Sequence, residues 1–312
     1  MSHAKIVPGQ GYITLPASVF KPILLFFSAF GDDMLITMNE QEFRIQAMSS
    51  DHTHFLNFVA LPDAATRYVA PKDEHLNTPL RFSTGKLPIA LRSSYTDTIM
   101  FCLPPPNNTG FTIVLACGNQ RDELRFIEKE LESDPFNPPD TAETCMQVTF
   151  NARELCDDVN VFMHLGFDSI NIQVEPDIAV ILDAADATNE TMERRSTYGA
   201  TGDRLLFAGG MSVCDAEADV NVNPRTKRKA VSVPRQPRSV LDAKATRTYS
   251  KLSVSSKLLL KLCQCTNMCD EVTLESRAFP GAGQLLCLNY ALRHDDMTMQ
   301  AFLAPKIKED DD

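Results

Sequence analysis

The chain has 312 residues, 44 % of them hydrophobic and 23 % charged, enough for one large domain or two ordinary ones with a substantial buried core. A formal net charge of −11 argues against a protein that wraps a polyanion by overall charge, so any nucleic-acid contact must use locally placed lysines and arginines. No apolar run approaches the ~18–20 residues that a bilayer-crossing helix requires, and the opening "MSHAKIVPGQGYITLP" has no hydrophobic signal-peptide region, so an intracellular location is expected.

In chain order, one arrangement recurs four times: a short strand, a helix, then two strands with apolar residues at period two. The first copy is predicted as strand Tyr12–Thr14, helix Pro16–Ala29 and strands in "MLITM" and "FRIQAM". The second is "LRFS", helix Gly85–Ser94, "TIMFCL" and "FTIVLAC". The third is "MQVTF", helix Asn151–Met163, "SINIQV" and "IAVILDA". The fourth is "YSKLSV", helix Ser255–Cys265, "EVTLES" and "QLLCLNYAL". Helix starts near residues 16, 84, 151 and 255 give two nearly equal steps and a longer third. An α+β fold of two similar halves is expected, each built from two such units.

The helices carry local signals. Asn151 can cap the third, with Glu154 at the capping-box spacing. Leu155, Val159 and Phe162 share one face of it. In the fourth, Leu258, Leu259 and Leu262 form the apolar face, with Lys257 and Lys261 one turn apart. In the first, Pro16 suits a helix start, but Pro22 falls inside and should distort the helix.

Two segments interrupt the pattern. The acidic, proline-rich "EKELESDPFNPPDTAE" (Glu128–Glu143) reads as an extended linker. It divides the chain into a first domain at 1–126, a connecting linker at 127–144 and a second domain at 145–312. The second domain carries a loop-rich insertion at about 188–248. That insertion contains "RTKRKAVSVPRQPR" at 225–238, with six basic residues and two prolines, read as an exposed loop.

No catalytic constellation stands out, since P-loop, GxGxxG and GxSxG patterns are missing. The enzyme reading that remains is a cysteine hydrolase using Cys117 or Cys156 with His164. Nine cysteines cannot all pair, and reduced, mostly buried thiols are expected. Cys263, Cys265 and Cys269 of "CQCTNMC" lack a fourth ligand, and His52 and His54 lack a third, so no metal and no cofactor is expected.

Three stretches resemble the sliding clamp family, proliferating cell nuclear antigen. They are "FRIQAMSSDHTHFLNFVAL", the run from "CMQVTFNARELCDDVNVFMHLGFDS" to "DAADATN", and the ending "YALRHDDMTMQAFLAPKIKEDDD". Together they cover about half the chain in the family's order. The ending, similar to the family's Ala-Pro-Lys-Ile plus acidic tail, is the most specific. This chain departs in Met48-Ser49-Ser50-Asp51-His52, where the acid is displaced, and in the insertion, which ordinary members lack. The resemblance implies a DNA-clamp fold of two similar domains, strands outside and helices facing a central hole, with subunits closing head to tail into a homotrimer. It implies a non-enzymatic processivity factor in the nucleus, or in a replication compartment if viral. Its partners would be double-stranded DNA bound without sequence preference, DNA polymerase and other clamp-binding proteins, and a clamp loader. A checkpoint-clamp subunit or a viral processivity factor that forms no ring is the alternative within the fold.

Carried onto this chain, the resemblance implies three sets of site residues, and the basic run of the insertion adds a fourth of its own. Lys21, Lys86, Arg92, Arg153, Lys257 and Lys261 would meet DNA phosphates from the helices. Met48, His52, Phe136, Pro138, Phe302, Ala304, Pro305 and Ile307 would line an apolar groove for partner peptides. Val114 in "FTIVLAC" and Val180 in "IAVILDA" would lie on edge strands at the subunit contact. Lys227, Arg228 and Lys229 form a basic core suited to nuclear import. The proline at 305 cannot donate to a strand ladder, so the last strand should end at Ala304 and the acidic tail should leave the sheet there.

Overall fold

The computed structural model of the chain describes residues 10–31, 33–49, 53–72, 80–85, 87–93, 96–104, 110–127, 143–175, 179–185, 193–200, 239–245, 251–279 and 283–304. At 127, 143, 145–146, 173–175, 179–185, 193–200, 239–245, 251, 279 and 283–284 the backbone alone is described. Of the expected site residues, Lys86, His52, Phe136, Pro138, Pro305, Ile307, Lys227, Arg228 and Lys229 lie outside the described residues, and the side chain of Val180 is not described.

Each half is built twice from one unit, and each unit holds one strand more than the sequence pattern predicts. The first unit comprises β1 (Tyr12–Pro16), α1 (Ala17–Ser28), β2 (Asp33–Met38), β3 (Phe43–Met48) and β4 (His54–Ala60), followed by the short β5 (Arg67–Val69). The second comprises β6 (Leu80–Ser83), α2 (Leu87–Ser93), β7 (Thr98–Cys102), β8 (Gly110–Cys117) and β9 (Gln120–Ile127). The third comprises β10 (Glu143–Asn151), α3 (Ala152–His164), β11 (Ser169–Glu175), β12 (Ala179–Ala185) and β13 (Glu193–Ala200), followed by β14 (Ser239–Ala245). The fourth comprises β15 (Lys251–Ser255), α4 (Ser256–Cys263), β16 (Cys269–Phe279), β17 (Gly283–Leu292) and β18 (Met297–Leu303).

The two halves are wired alike. In the first, β1 pairs with β5 and β7, and β2 with β6. In the second, β10 pairs with β14 and β16, and β11 with β15. The halves join where β4 runs antiparallel to β18, from Met297 opposite Ala60 to Leu303 opposite His54. Through this joint and a short contact between β13 and β14 thirteen strands form one sheet, while β5, β1, β7, β8 and β9 form a second of five. β13 touches β14 in parallel only at Gly199 and Ala200.

Alternation along the strands explains the layering. In β2 and β6 the residues Met34, Ile36, Leu80 and Phe82 are buried while their neighbours are not, as a half-buried strand requires. The buried residues meet the apolar faces of the helices. Phe20 of α1 is fully buried, with its ring centroid 5.3 Å from that of Phe101 and 5.7 Å from that of Phe58. Leu155, Val159 and Phe162 of α3 are fully buried, as are Leu259 and Leu262 of α4, while Leu258 is partly buried against the same core. Asn151 caps α3 as expected, its Oδ1 accepting from the N–H groups of Arg153 at 3.1 Å and Glu154 at 3.2 Å.

Pro22 lies inside an otherwise continuous α1. Its missing N–H leaves the carbonyl of Ser18 without the usual helical donor, and Ser18 is exposed, so water can serve that oxygen. A tight turn at Gly118, whose φ is +54°, reverses the chain between β8 and β9, and Asp97 Oδ2 accepts from the Gly118 N–H at 3.1 Å. That turn fixes β9 as the last strand of the five-stranded sheet.

Candidate nucleic-acid face, partner groove and strand edges

The apolar sides of the four helices pack into one buried core, α1 against α2 and α3 against α4. Five of the expected phosphate-binding residues are on these helices and outside that core. Arg92, Arg153 and Lys257 are exposed, and Lys21 and Lys261 are half-buried. The Lys261 ammonium sits 5.8 Å from the centre of the Phe30 ring, so part of its charge is directed at an aromatic face. The helices also carry the exposed acids Glu154 and Asp157, both on α3, and Ile89 of α2 is 71 % exposed. The acids therefore offset the cations of the second half, whereas α1 and α2 carry Lys21 and Arg92 and no acid.

On the opposite side of the thirteen-stranded sheet, Phe55, Phe302 and Cys287 form a small buried cluster with Met48 packed against it. The rings of Phe55 and Phe302 are 5.9 Å apart, and the Arg277 guanidinium stands 6.0 Å from the centre of the Phe302 ring. The structure thus brings together Met48 and Phe302 of the expected groove. The Ala304 N–H still donates to the Thr53 carbonyl at 2.9 Å, which ties the end of β18 to the turn before β4. Phe55, Cys287 and Arg277 were not singled out from the sequence. The alternation in "HFLNFVA" puts Phe55 and Asn57 on the face away from the core, and that was the available signal.

Beside this cluster the joint between halves carries a row of amides. Gln46 donates to Asn57 at 3.3 Å and Gln300 donates to Asn289 at 2.8 Å. Asn57 stands directly opposite Gln300 across the joint.

The expected subunit-contact strands are not edges. β8 is flanked by β7 and β9, and Val114 is fully buried. β12 is flanked by β11 and β13. The strands that end these runs are β9, with Arg121, Asp122, Glu123 and Arg125 exposed, and β13, whose Glu193–Tyr198 stretch has no strand partner beyond β12 among the described residues. Apolar content marks the interior member of each hairpin, because interior strands bury both faces and edge strands are kept charged.

His54, suggested by its spacing from His52, is buried, with Nε2 3.3 Å from the Phe30 carbonyl and Nδ1 3.2 Å from Thr53 Oγ1. Its ring serves the turn before β4. Cys117 and Cys156 both have thiols pushed above the ordinary range, by desolvation first and then by Asp97 and Asp157 respectively. A nucleophilic cysteine needs the opposite shift. Cys263, Cys265 and Cys269 are all buried, and Sγ of Cys265 and of Cys269 are 3.6 Å apart.

No family model matches the sequence, and no curated protein matches it. Among solved structures, the chain is similar to a proliferating cellular nuclear antigen from Entamoeba histolytica. The identity is 14 % and the TM-score 0.69, over 95 % of this chain and 99 % of that one. The architecture is therefore a mixed α+β, mostly antiparallel fold of the DNA-clamp type. Within that type it is the fold of proliferating cell nuclear antigen, as the three resembling stretches led us to expect.

Proposed function

We propose that the chain is a sliding clamp, whose copies join head to tail into a homotrimeric ring around duplex DNA and tether DNA polymerase and other enzymes to it. One observation carries this reading. The chain closes one joint internally, between β4 and β18, and its other half-units end in the equivalent strands β13 and β9. A second copy that pairs β9 with β13 repeats outside the chain the joint already made inside it, and it covers the open edge of β9 and the Glu193–Tyr198 stretch of β13. Arg92, Arg153, Lys257, Lys261 and Lys21, with Lys86, then face the enclosed duplex and contact phosphates without reading sequence. Met48, Phe302 and Ala304, together with His52, Phe136, Pro138, Pro305 and Ile307, would form the groove for partner peptides. Lys227–Arg228–Lys229 would direct the protein to the nucleus, and a clamp loader would open the ring. We take 1–126 and 145–312 as the two clamp domains and 127–144 as their connection.

Glu154, Asp157 and Ile89 on the helix face favour a second reading, in which a clamp relative has given up the closed homomeric ring, as a checkpoint-clamp subunit or a non-ring viral factor. Light scattering on the full chain separates the two. A mass three times that of one chain is expected, and a monomer at all concentrations overturns the ring in favour of the second reading.

A further inference from the structure

The internal joint serves as a template for the joint between copies, because the two halves can be aligned residue by residue. Ile36 stands opposite Leu80 and Ile45, as Ile172 stands opposite Leu252 and Leu182. One strand further out, Ile45 faces Phe58 and Leu182 faces Ser196. Asn57 therefore corresponds to Arg195, and Phe55 to Glu193. On the other side, Ile13 and Val148 each precede their helix by four positions, facing Phe101 and Leu274. These face Ile113 and Leu288, which face Leu124 and Ala301. Gln300 therefore corresponds to Glu123, and Phe302 to Arg125.

Inside the chain, Asn57 faces Gln300 and Phe55 faces Phe302. Transferred to two copies, the same register sets Arg195 opposite Glu123 and Glu193 opposite Arg125. We propose that the joint between copies is held in register by these two ion pairs, Glu123 with Arg195 and Arg125 with Glu193. At the equivalent positions, the joint within the chain uses neutral amides and an aromatic pair. The inference rests on the self-association proposed above. Arg195 also stands opposite Asp183 in the register of β12 with β13. The pairing selects one register. Sliding β13 by two residues sets Arg195 opposite Arg121 or Arg125, arginine against arginine, and a slide of one residue exchanges the faces of the strand. Charge complementarity is confined to this face. On the other, Asp122 falls opposite Ser196 and Leu124 opposite Arg194.

Opposite charges at a separable joint direct head-to-tail encounter and make it sensitive to salt. The test is the oligomer's mass and association constant by light scattering and sedimentation, across salt concentrations, for the full chain and charge-reversed variants. Wild type should associate at low salt and dissociate as salt rises. Glu123→Arg should weaken association by at least about tenfold, and adding Arg195→Glu should restore it. Because Arg195→Glu sets a second acid beside Asp183, Arg125→Glu combined with Glu193→Arg provides an independent exchange, where the neighbour on β12 is Ala185. Circular dichroism confirms that each variant is folded. A wild type that stays monomeric overturns the self-association reading and the ion pairs with it. An oligomer indifferent to the single reversals overturns the ion pairs alone. Single reversals that weaken it, with neither exchange restoring it, overturn the register.

Discussion

Asn151 is a single side chain that closes the first turn of α3 by accepting from two backbone N–H groups. Replacing it with alanine removes both bonds and should cost about 1 kcal/mol of stability in urea unfolding; no change in the midpoint would show that solvent serves those groups equally well. The buried thiols make a prediction in pH. Burial, and then the charge of Glu123, push the Cys102 thiol from an ordinary 9.0 to about 11. Burial likewise pushes the Cys287 thiol up to about 12, with Arg277 opposing. Tyr68 and Tyr290 are raised as well, again mainly by burial. The folded chain therefore keeps protons that the unfolded chain releases. The stabilisation is complete below pH 9 and is lost as pH rises through 11 and 12. The melting temperature should be steady up to pH 9 and fall beyond it, and a flat profile to pH 11 would contradict the burial of these groups.

At the level of elements, the four helices and the first three strands of each unit were legible in the sequence, because capping residues and apolar alternation are local signals. "FRIQAM" and "LRFS" coincide with β3 and β6, and Asn151 marks the start of α3. The fourth strand of the first three units was not counted, whereas the strand ending at Ala304 was expected from the proline after it. β9 reads "QRDELRFI", and charge on an edge masks the alternation of Leu124 and Phe126 that packs against the core. Since the interior strands are the apolar ones, the expected contact residue Val114 is part of the folded sheet. Val114→Arg should therefore lower the melting temperature of the chain itself, by burying an unpaired charge. A variant that melts like wild type but has a smaller mass would return β8 to the interface. The groove was legible only in part. Met48 and Phe302 came from the resemblance, whereas Phe55 and Cys287 join them only through the register of β4, β18 and β17.

For the whole molecule, the helix side is weakly cationic on a chain whose net charge is −11. Binding to duplex DNA should accordingly be loose and steep in salt. Removing Arg153 and Lys257 together should reduce the slope of log affinity against log salt by roughly two, if each neutralises one phosphate. An unchanged slope in fluorescence anisotropy with a short duplex would remove these residues from the DNA face.

The joint between β4 and β18 also constrains how the chain is made. β4 is synthesised early, yet its neighbour on one side is the last strand of the sheet. While the ribosome makes the intervening segments, the buried positions Phe55, Leu56 and Phe58 wait beside an unpaired row of backbone groups. Pairing across so long a loop is slow to form, and an exposed apolar strand is the kind of surface that aggregates or recruits chaperones. β4 gains its second neighbour only after residue 303 has left the exit tunnel, so a message truncated before β18 yields a product in which β4 is an exposed edge.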